Sequence, residues 1–250
     1  MPRFTGQVIL VTGGSAGLGA GIAARLAAEG ATVIVNGRDA GAVDRTVAVL
    51  RAAGGVAEGW SADVTDESVV GTGLEGLLRR HGGLDGLVHS AGMVGVTRKN
   101  ILQYPDEEFD RVVRTNLTGS FLVARACLPP MARRGRGRAL FLASMAGRDG
   151  NPDMMGYTAA KAGVFGLVKA LGREFAGTGV TVNGLAPAVV RTALVDAMDP
   201  AHVDYLTRLI PMRRTGTIAE VAALAAWILG PECSYTTGFI FDASGGRATY

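Results

Sequence analysis

Apolar residues along this chain switch repeatedly between two periods. Residues 7–12 (Gln-Val-Ile-Leu-Val-Thr) form a short β-branched run, as in a strand buried on both faces. A glycine-rich turn, 13–19, follows. Then Ile22, Ala23, Leu26 and Ala27 recur at helical spacing until Gly30. The alternation continues. Strands are expected at 32–36, 56–60, 84–89, 139–144, 180–185 and 239–241. Helices are expected around Ala42, Val43, Val47 and Leu50, then at 66–81, 106–134, 154–175 and 217–229. Thr217 with Glu220 reads as a capping box. Within 106–134, Asn116 sits among apolar positions and marks a kink or a neutral surface choice, and Pro129-Pro130 should bend or end the helix. Only 188–214 loses its periodicity, and it reads as a lid over the strand ends. Strand–helix alternation without a linker predicts an α/β fold. Residues 1–250 would form a single Rossmann-type domain, a doubly wound parallel sheet of about seven strands with helices on both faces.

Composition narrows the classes. Hydrophobic content of 48% and a mean hydropathy of +0.26 suffice for a core in 250 residues. No apolar run reaches the roughly 18 residues of a membrane span, and the start of the chain does not read as a signal peptide. The net charge is only +3. The densest basic cluster, Arg133 to Arg138, lacks interleaved aromatics and reads as a helix C-terminus and turn, not a nucleic-acid surface. Cys127 and Cys233 show neither metal nor disulfide spacing. They read as apolar fillers of a chain kept in a reducing compartment, the cytoplasm, and no metal is expected.

Chemistry concentrates in 144–161. Tyr157 and Lys161 stand at i and i+4, which on a helix brings them to one face, about 5–6 Å apart at Cβ. A nearby ammonium favours phenolate, so the tyrosine is expected to titrate below its usual ~10 and to exchange protons near neutral pH. Of the 25 basic residues only Lys99, Lys161 and Lys169 are lysines, the compact cation suited to tuning a neighbour. Ser144 falls at the C-terminal end of a buried strand, where ligand crevices of open α/β sheets lie. The turn 13–19, between strand and helix, suits a pyrophosphate: glycines admit the backbone, and the helix N-terminus offers N–H groups. At the end of the next strand, Asn36-Gly37-Arg38 places an arginine where an acidic residue would select NAD, which favours NADP. Asp39 reads as a helix cap. His89 reads as structural.

The ordered set of motifs resembles the short-chain dehydrogenase/reductase family over essentially the whole chain. Thr12-Gly13-Gly14-Ser15-Ala16-Gly17-Leu18-Gly19 is similar to its cofactor turn, Asp63-Val64 to its adenine-contacting pair, and Ser90-Ala91-Gly92 to its Asn-Ala-Gly. Asn116, Ser144, Tyr157 and Lys161 match its catalytic four, and Val182-Asn183 through Pro187, Val190 and Thr192 its nicotinamide segment. There are two departures. His89-Ser90 replaces Asn-Asn or Asn-Ser, removing an asparagine that braces the sheet, and Ala188 replaces a glycine after Pro187.

The resemblance implies NADP(H) as the preferred cofactor, with NAD(H) also accepted. Hydride goes to a carbonyl carbon, and Tyr157 protonates the oxygen that Ser144 binds. Lys161 tunes the tyrosine and holds the ribose, while Asn116 anchors a water. The first substrate class implied is a 3-oxoacyl thioester, the alternative a polyol or keto-deoxy sugar acid. The walls Met93 to Gln103 and Met145 to Met155, with the lid, mix Val94, Val96, Met154 and Met155 with Arg98, Lys99, Arg148 and Arg191. A non-catalytic nucleotide-binding scaffold is the reading from another class, and the filled catalytic positions speak against it. The resemblance also implies a homotetramer or homodimer, in which Arg247 or Tyr250 is expected to approach a neighbouring subunit's pocket.

Overall fold

Seven short runs of β-branched and apolar residues pair into one parallel sheet of order β3-β2-β1-β4-β5-β6-β7. The strands are β1 (Val8–Thr12), β2 (Thr32–Gly37), β3 (Val56–Ser61), β4 (Gly86–His89), β5 (Gly137–Leu142), β6 (Val180–Pro187) and β7 (Ile240–Ala243). The computed structural model describes residues 2–248, with Leu194 and His202 described as backbone only. Central strands are covered on both faces, and all eight residues of β6 are buried.

Period-two alternation divides the core. Ile9, Val11, Leu140 and Leu142 point to one face. There they pack with Ile22 and Leu26 of α1 (Gly17–Ala28), Val43 of α2 (Ala40–Ala52) and Val221 of α10 (Ile218–Leu229). Leu10, Leu87 and Phe141 point the other way. They meet Leu74 of α3 (Glu67–His81), Leu128 of α5 (Gly119–Arg133) and Val164 of α7 (Met155–Phe175). Each such buried side chain stabilises the fold by about 1.5–3 kcal/mol of transfer free energy. Helix starts follow sequence signals. Asp39 and Asp66 accept the N–H groups of Ala42 and Val69, and Thr217 with Glu220 makes a capping box.

The 106–134 stretch differs from a simple helix. α4 (Asp106–Val113) runs into a π-helical turn, Arg114–Thr118, before α5 begins. The kink is centred on Asn116, whose side chain is buried and not a surface choice. Pro129 and Pro130 do not end α5, which continues to Arg133. Two missing donors so near the helix end leave too few carbonyls unpaired to unwind it.

The sheet reverses its winding between β1 and β4, so the crevice opens at the C-terminal ends of β1, β2, β4, β5 and β6. Over it lie α6 (Met145–Asp149), α7 and the 188–214 segment with its two helices, α8 (Ala193–Asp196) and α9 (Pro200–Arg208). A bridge between Val190 and Gly216 pinches that segment at its base. Among the described residues no helix is long and apolar enough to cross a membrane, and no cluster of side chains could hold a metal.

Candidate active site

The glycine turn is shaped by what its residues lack. Gly13 has φ +61°, and a Cβ there would lie 2.7 Å from the backbone nitrogen of Ala91. A Cβ on Gly19 would lie 2.1 Å from the carbonyl oxygen of Gly13. The turn therefore folds tightly on itself and on the strand end that carries Ser90, Ala91 and Gly92. Gly17 has φ +52° and open space where a side chain would project. Ala16 offers no capping side chain to α1, and the first turn holds no acidic residue, so neither neutralises the N–H groups there. Ser15 and Leu18 flank this turn; Leu18 packs on the core and the Ser15 carbonyl accepts the Thr46 hydroxyl. An uncapped helix start under a glycine cradle fits a dinucleotide's pyrophosphate.

At the end of β2, Asn36 is buried. It donates to the Trp60 and Ala62 carbonyls, while its Oδ1 has no partner. Arg38 is exposed, 4.0 Å from Asp63. Asp63 accepts from the backbone and hydroxyl of Thr65, and Val64 is buried. Asp39 is occupied as the cap of α2.

His89 ends β4, and its Nδ1 lies 2.9 Å from the Thr12 hydroxyl. That hydroxyl also accepts the Ala91 N–H, at 3.4 Å. The brace that the missing asparagine would provide is thus made by histidine. Burial, then the Lys161 charge, holds the imidazole's pKa down at about 3, so it is neutral at ordinary pH. Ala188, the other departure, donates its N–H to the Ala243 carbonyl, anchoring the base of the 188–214 segment to β7. Pro187 closes β6, Val190 makes the bridge to Gly216, and Thr192 precedes α8.

Ser144 caps α6, its Oγ accepting the Ala146 N–H. It also hydrogen-bonds Tyr157. Lys161, buried one turn along α7, donates to the Leu142 carbonyl at 2.6 Å. Its Nζ lies 5.8 Å from the Tyr157 ring centre. A Cβ on Gly92 would lie 2.6 Å from Asn116 Oδ1 and 3.6 Å from Lys161 Nζ, so both side chains face this glycine turn. Asn116 donates to the Met93 and Val112 carbonyls and accepts the Met93 N–H. The four residues singled out in the sequence converge.

Their electrostatics differ from expectation. The phenol of Tyr157 is pushed up by burial, the Ser144 hydrogen bond only offsetting this, and is not drawn down by the amine. Burial instead lowers Lys161 to about 8. Desolvation penalises each charged form, phenolate and ammonium alike, and outweighs their attraction.

Sequence reasoning missed several supports. The Met93 backbone pins Asn116, and the Leu142 carbonyl seats Lys161. Buried Glu108 accepts the Val96 N–H and so fixes the strand-end loop; no sequence signal marks it. Arg247 is held within its own chain. It donates to Asp149 and Asn151, two acceptors spaced for its guanidinium fork. Tyr250 lies outside the described residues.

Known proteins resemble this chain along most of its length. The short chain dehydrogenase family model matches residues 7–202. A 2-dehydro-3-deoxy-L-rhamnonate dehydrogenase (NAD(+)) of Sphingomonas sp. is 40% identical over 248 residues, covering 99% of this chain and 98% of that one. A 3-oxoacyl-(acyl-carrier-protein) reductase of Escherichia coli is 34% identical over 245 residues, covering 98% of each. The crystal structure of an NAD+-bound xylitol dehydrogenase superposes with a TM-score of 0.93 at 29% identity, covering 98% of this chain and all of that one.

Proposed function

The chain belongs to the short-chain dehydrogenase family, and from that premise we propose how its residues divide the work and which substrate it takes. It is an NAD(P)-dependent oxidoreductase that interconverts a ketone and a secondary alcohol. In this reading Gly13, Ser15, Gly17, Leu18 and Gly19 hold the pyrophosphate. Arg38, Asp63 and Val64 hold the adenosine half. Ser90, Ala91, Gly92, Pro187, Val190 and Thr192 flank the nicotinamide half, with Tyr157 and Lys161 facing its ribose. The bound nicotinamide supplies or takes up the hydride. NADP(H) is preferred and NAD(H) accepted: Arg38 is exposed, Asp39 is committed to capping α2, and no carboxylate at 36–38 repels a 2′-phosphate.

Tyr157 is the acid and base. A phenol whose pKa is pushed up is protonated at neutral pH, the state needed to give a proton to a carbonyl oxygen as its carbon becomes an alcohol. Ser144 Oγ hydrogen-bonds that oxygen. Protonated Lys161 steadies the phenolate left behind, and water held near the Asn116–Met93 corner returns the proton from solvent. The observation that carries this reading is the convergence of Ser144, Tyr157, Lys161 and Asn116 on the crevice edge that also holds the uncapped N-terminus of α1.

Between the two substrate classes, the walls favour the keto-deoxy sugar acid. The stretch between Ser144 and Tyr157 carries Arg148, Asp149 and Asn151, joined by Arg247. A wall of such polar groups suits hydroxyls and a carboxylate, whereas an acyl chain packed on it would strip its water. The Sphingomonas relative acts, by its name, on such an acid. The 3-oxoacyl thioester remains the second reading, supported by the partly buried Val94, Val96, Met154 and Met155 and by the E. coli relative.

We further propose that residues 1–250 work as one catalytic unit with 188–214 as its lid, pinched at Val190–Gly216. Exposed Phe109 and Phe121 on α4 and α5 support assembly, as a homotetramer. Two buried free cysteines, Cys127 pushed up to about 12, support residence in the cytoplasm.

The test is a turnover panel with each cofactor: the 2-dehydro-3-deoxy-L-rhamnonate substrate against a 3-oxoacyl thioester. Faster NADP-linked oxidation of the sugar acid supports the reading. Turnover of the thioester alone moves the assignment to the second class, and turnover of neither with any ketone favours a non-catalytic nucleotide-binding scaffold.

A further inference from the structure

Two walls of the substrate site are separate in sequence. One is the segment between Ser144 and Tyr157, the other the 188–214 lid. After β7 the chain touches both. On the lid side, the Gly245 carbonyl accepts the Met212 N–H at 3.1 Å. Gly245 has φ +62°, and a Cβ there would lie 2.7 Å from Ile210 Cγ2, so the strand-exit turn is pressed against the lid base. Ile210 is itself buried, and its N–H bonds the Thr207 carbonyl at the end of α9.

On the other side Arg247 reaches the 149–151 segment. Its Nε donates to Asp149 Oδ2 at 2.8 Å and its Nη2 to Asn151 Oδ1 at 2.9 Å. The Arg247 side chain is 10% exposed, the most buried cation of the ion pairs described, so this pair is screened less than a surface one. Asp149 ends α6, the helix that Ser144 caps. The Asn151 carbonyl accepts the hydroxyl of Thr158, the residue after Tyr157. The segment is braced on either side of the two attachments by Ser244, which donates to Asp242 and accepts the Ala248 N–H at 3.0 Å.

We propose that 244–248 is a strut that sets the spacing between the lid base and the Ser144–Tyr157 wall, with Arg247 as a positioning residue for substrate. This rests on reading that wall as the substrate site. Among the described residues the strut's bonds run to the lid base and to 149–151 and not to the turn at 13–19, so its loss should act on substrate and leave cofactor binding alone.

The test uses the full chain and has two arms. Hydrogen exchange of Arg247→Ala should rise in peptides from both walls, 146–158 and 206–214, with 13–19 unchanged. Arg247→Lys, which keeps the ion pair but not the fork, should be intermediate. In kinetics with 2-dehydro-3-deoxy-L-rhamnonate-type substrate, KM for substrate should rise about tenfold with cofactor KM and kcat nearly unchanged. Asp149→Ala should copy this, and the double variant should be no worse than the worse single one. Faster exchange in one wall only, equal rises in both KM values, or additive effects of the two substitutions would overturn the strut. If Arg247→Ala does not fold, Arg247→Lys and Asp149→Ala decide by the same criteria. The exchange arm needs no turnover, so a strut present in an inactive protein refutes the functional reading and not the strut.

Discussion

The turn after β1 and the corner where β5 meets α7 share one edge of the sheet but are built on opposite plans. The turn is made by leaving side chains out: Gly13 and Gly19 let backbone approach backbone, and the α1 N–H groups face the crevice without a capping side chain. The corner is made by enclosing ionisable side chains, Lys161 fully and Tyr157 partly, whose charged forms the surroundings disfavour. The difference teaches where each half is fragile. The turn fails when anything is added. The corner is costly to the fold while intact, because burial of Lys161 holds its pKa well under its ordinary value.

The sharpest way to break that contrast is Lys161→Met. Turnover should fall by roughly 10³-fold, yet thermal stability at pH 7 should rise, since a desolvated ammonium is removed. The sign follows from linkage. Between about 8 and 10.5 the unfolded chain holds a proton on this lysine that the folded one has lost, so wild-type stability climbs with pH across that window. The variant should lack this climb. Calorimetric melting from pH 7 to 10 checks it, and a variant less stable than wild type at pH 7 would break the comparison.

Gly13→Ala should behave in the reverse sense. Its left-handed backbone and the Ala91 contact predict a loss of about 1–3 kcal/mol in stability. Cofactor KM should rise more than kcat falls. Denaturant midpoints and cofactor saturation curves measure both. Smaller again is the effect of His89, which ties the end of β4 to the turn through Thr12. The folded state keeps this imidazole unprotonated down to about 3, whereas the unfolded chain protonates it near 6.5. Its contribution is therefore complete above pH 6.5 and is lost as pH falls toward 3. His89→Asn should flatten the acid limb of the stability profile, and urea midpoints at pH 4 and 7 would show it.

The turn was legible in the sequence because its meaning is local: strand, glycines, helix. The strands and capped helices were legible for the same reason, since Asp39 and Thr217 act within three residues. Tyr157 and Lys161 were legible from helical spacing and Ser144 from its strand end, whereas Asn116 was named only through a family resemblance. Their electrostatics were not legible, because spacing at i and i+4 reports proximity but not how far water is excluded. The π-turn at Asn116, the persistence of α5 past Pro130 and the Arg247 clamp likewise depend on partners distant in the chain.

The most direct test of the central claim is Tyr157→Phe, assayed for cofactor binding by fluorescence and for hydride transfer by nicotinamide absorbance on the same preparation. The account predicts cofactor affinity close to wild type and turnover lower by roughly 10²–10⁴-fold. Wild-type turnover in a variant that lacks the phenolic proton would contradict it.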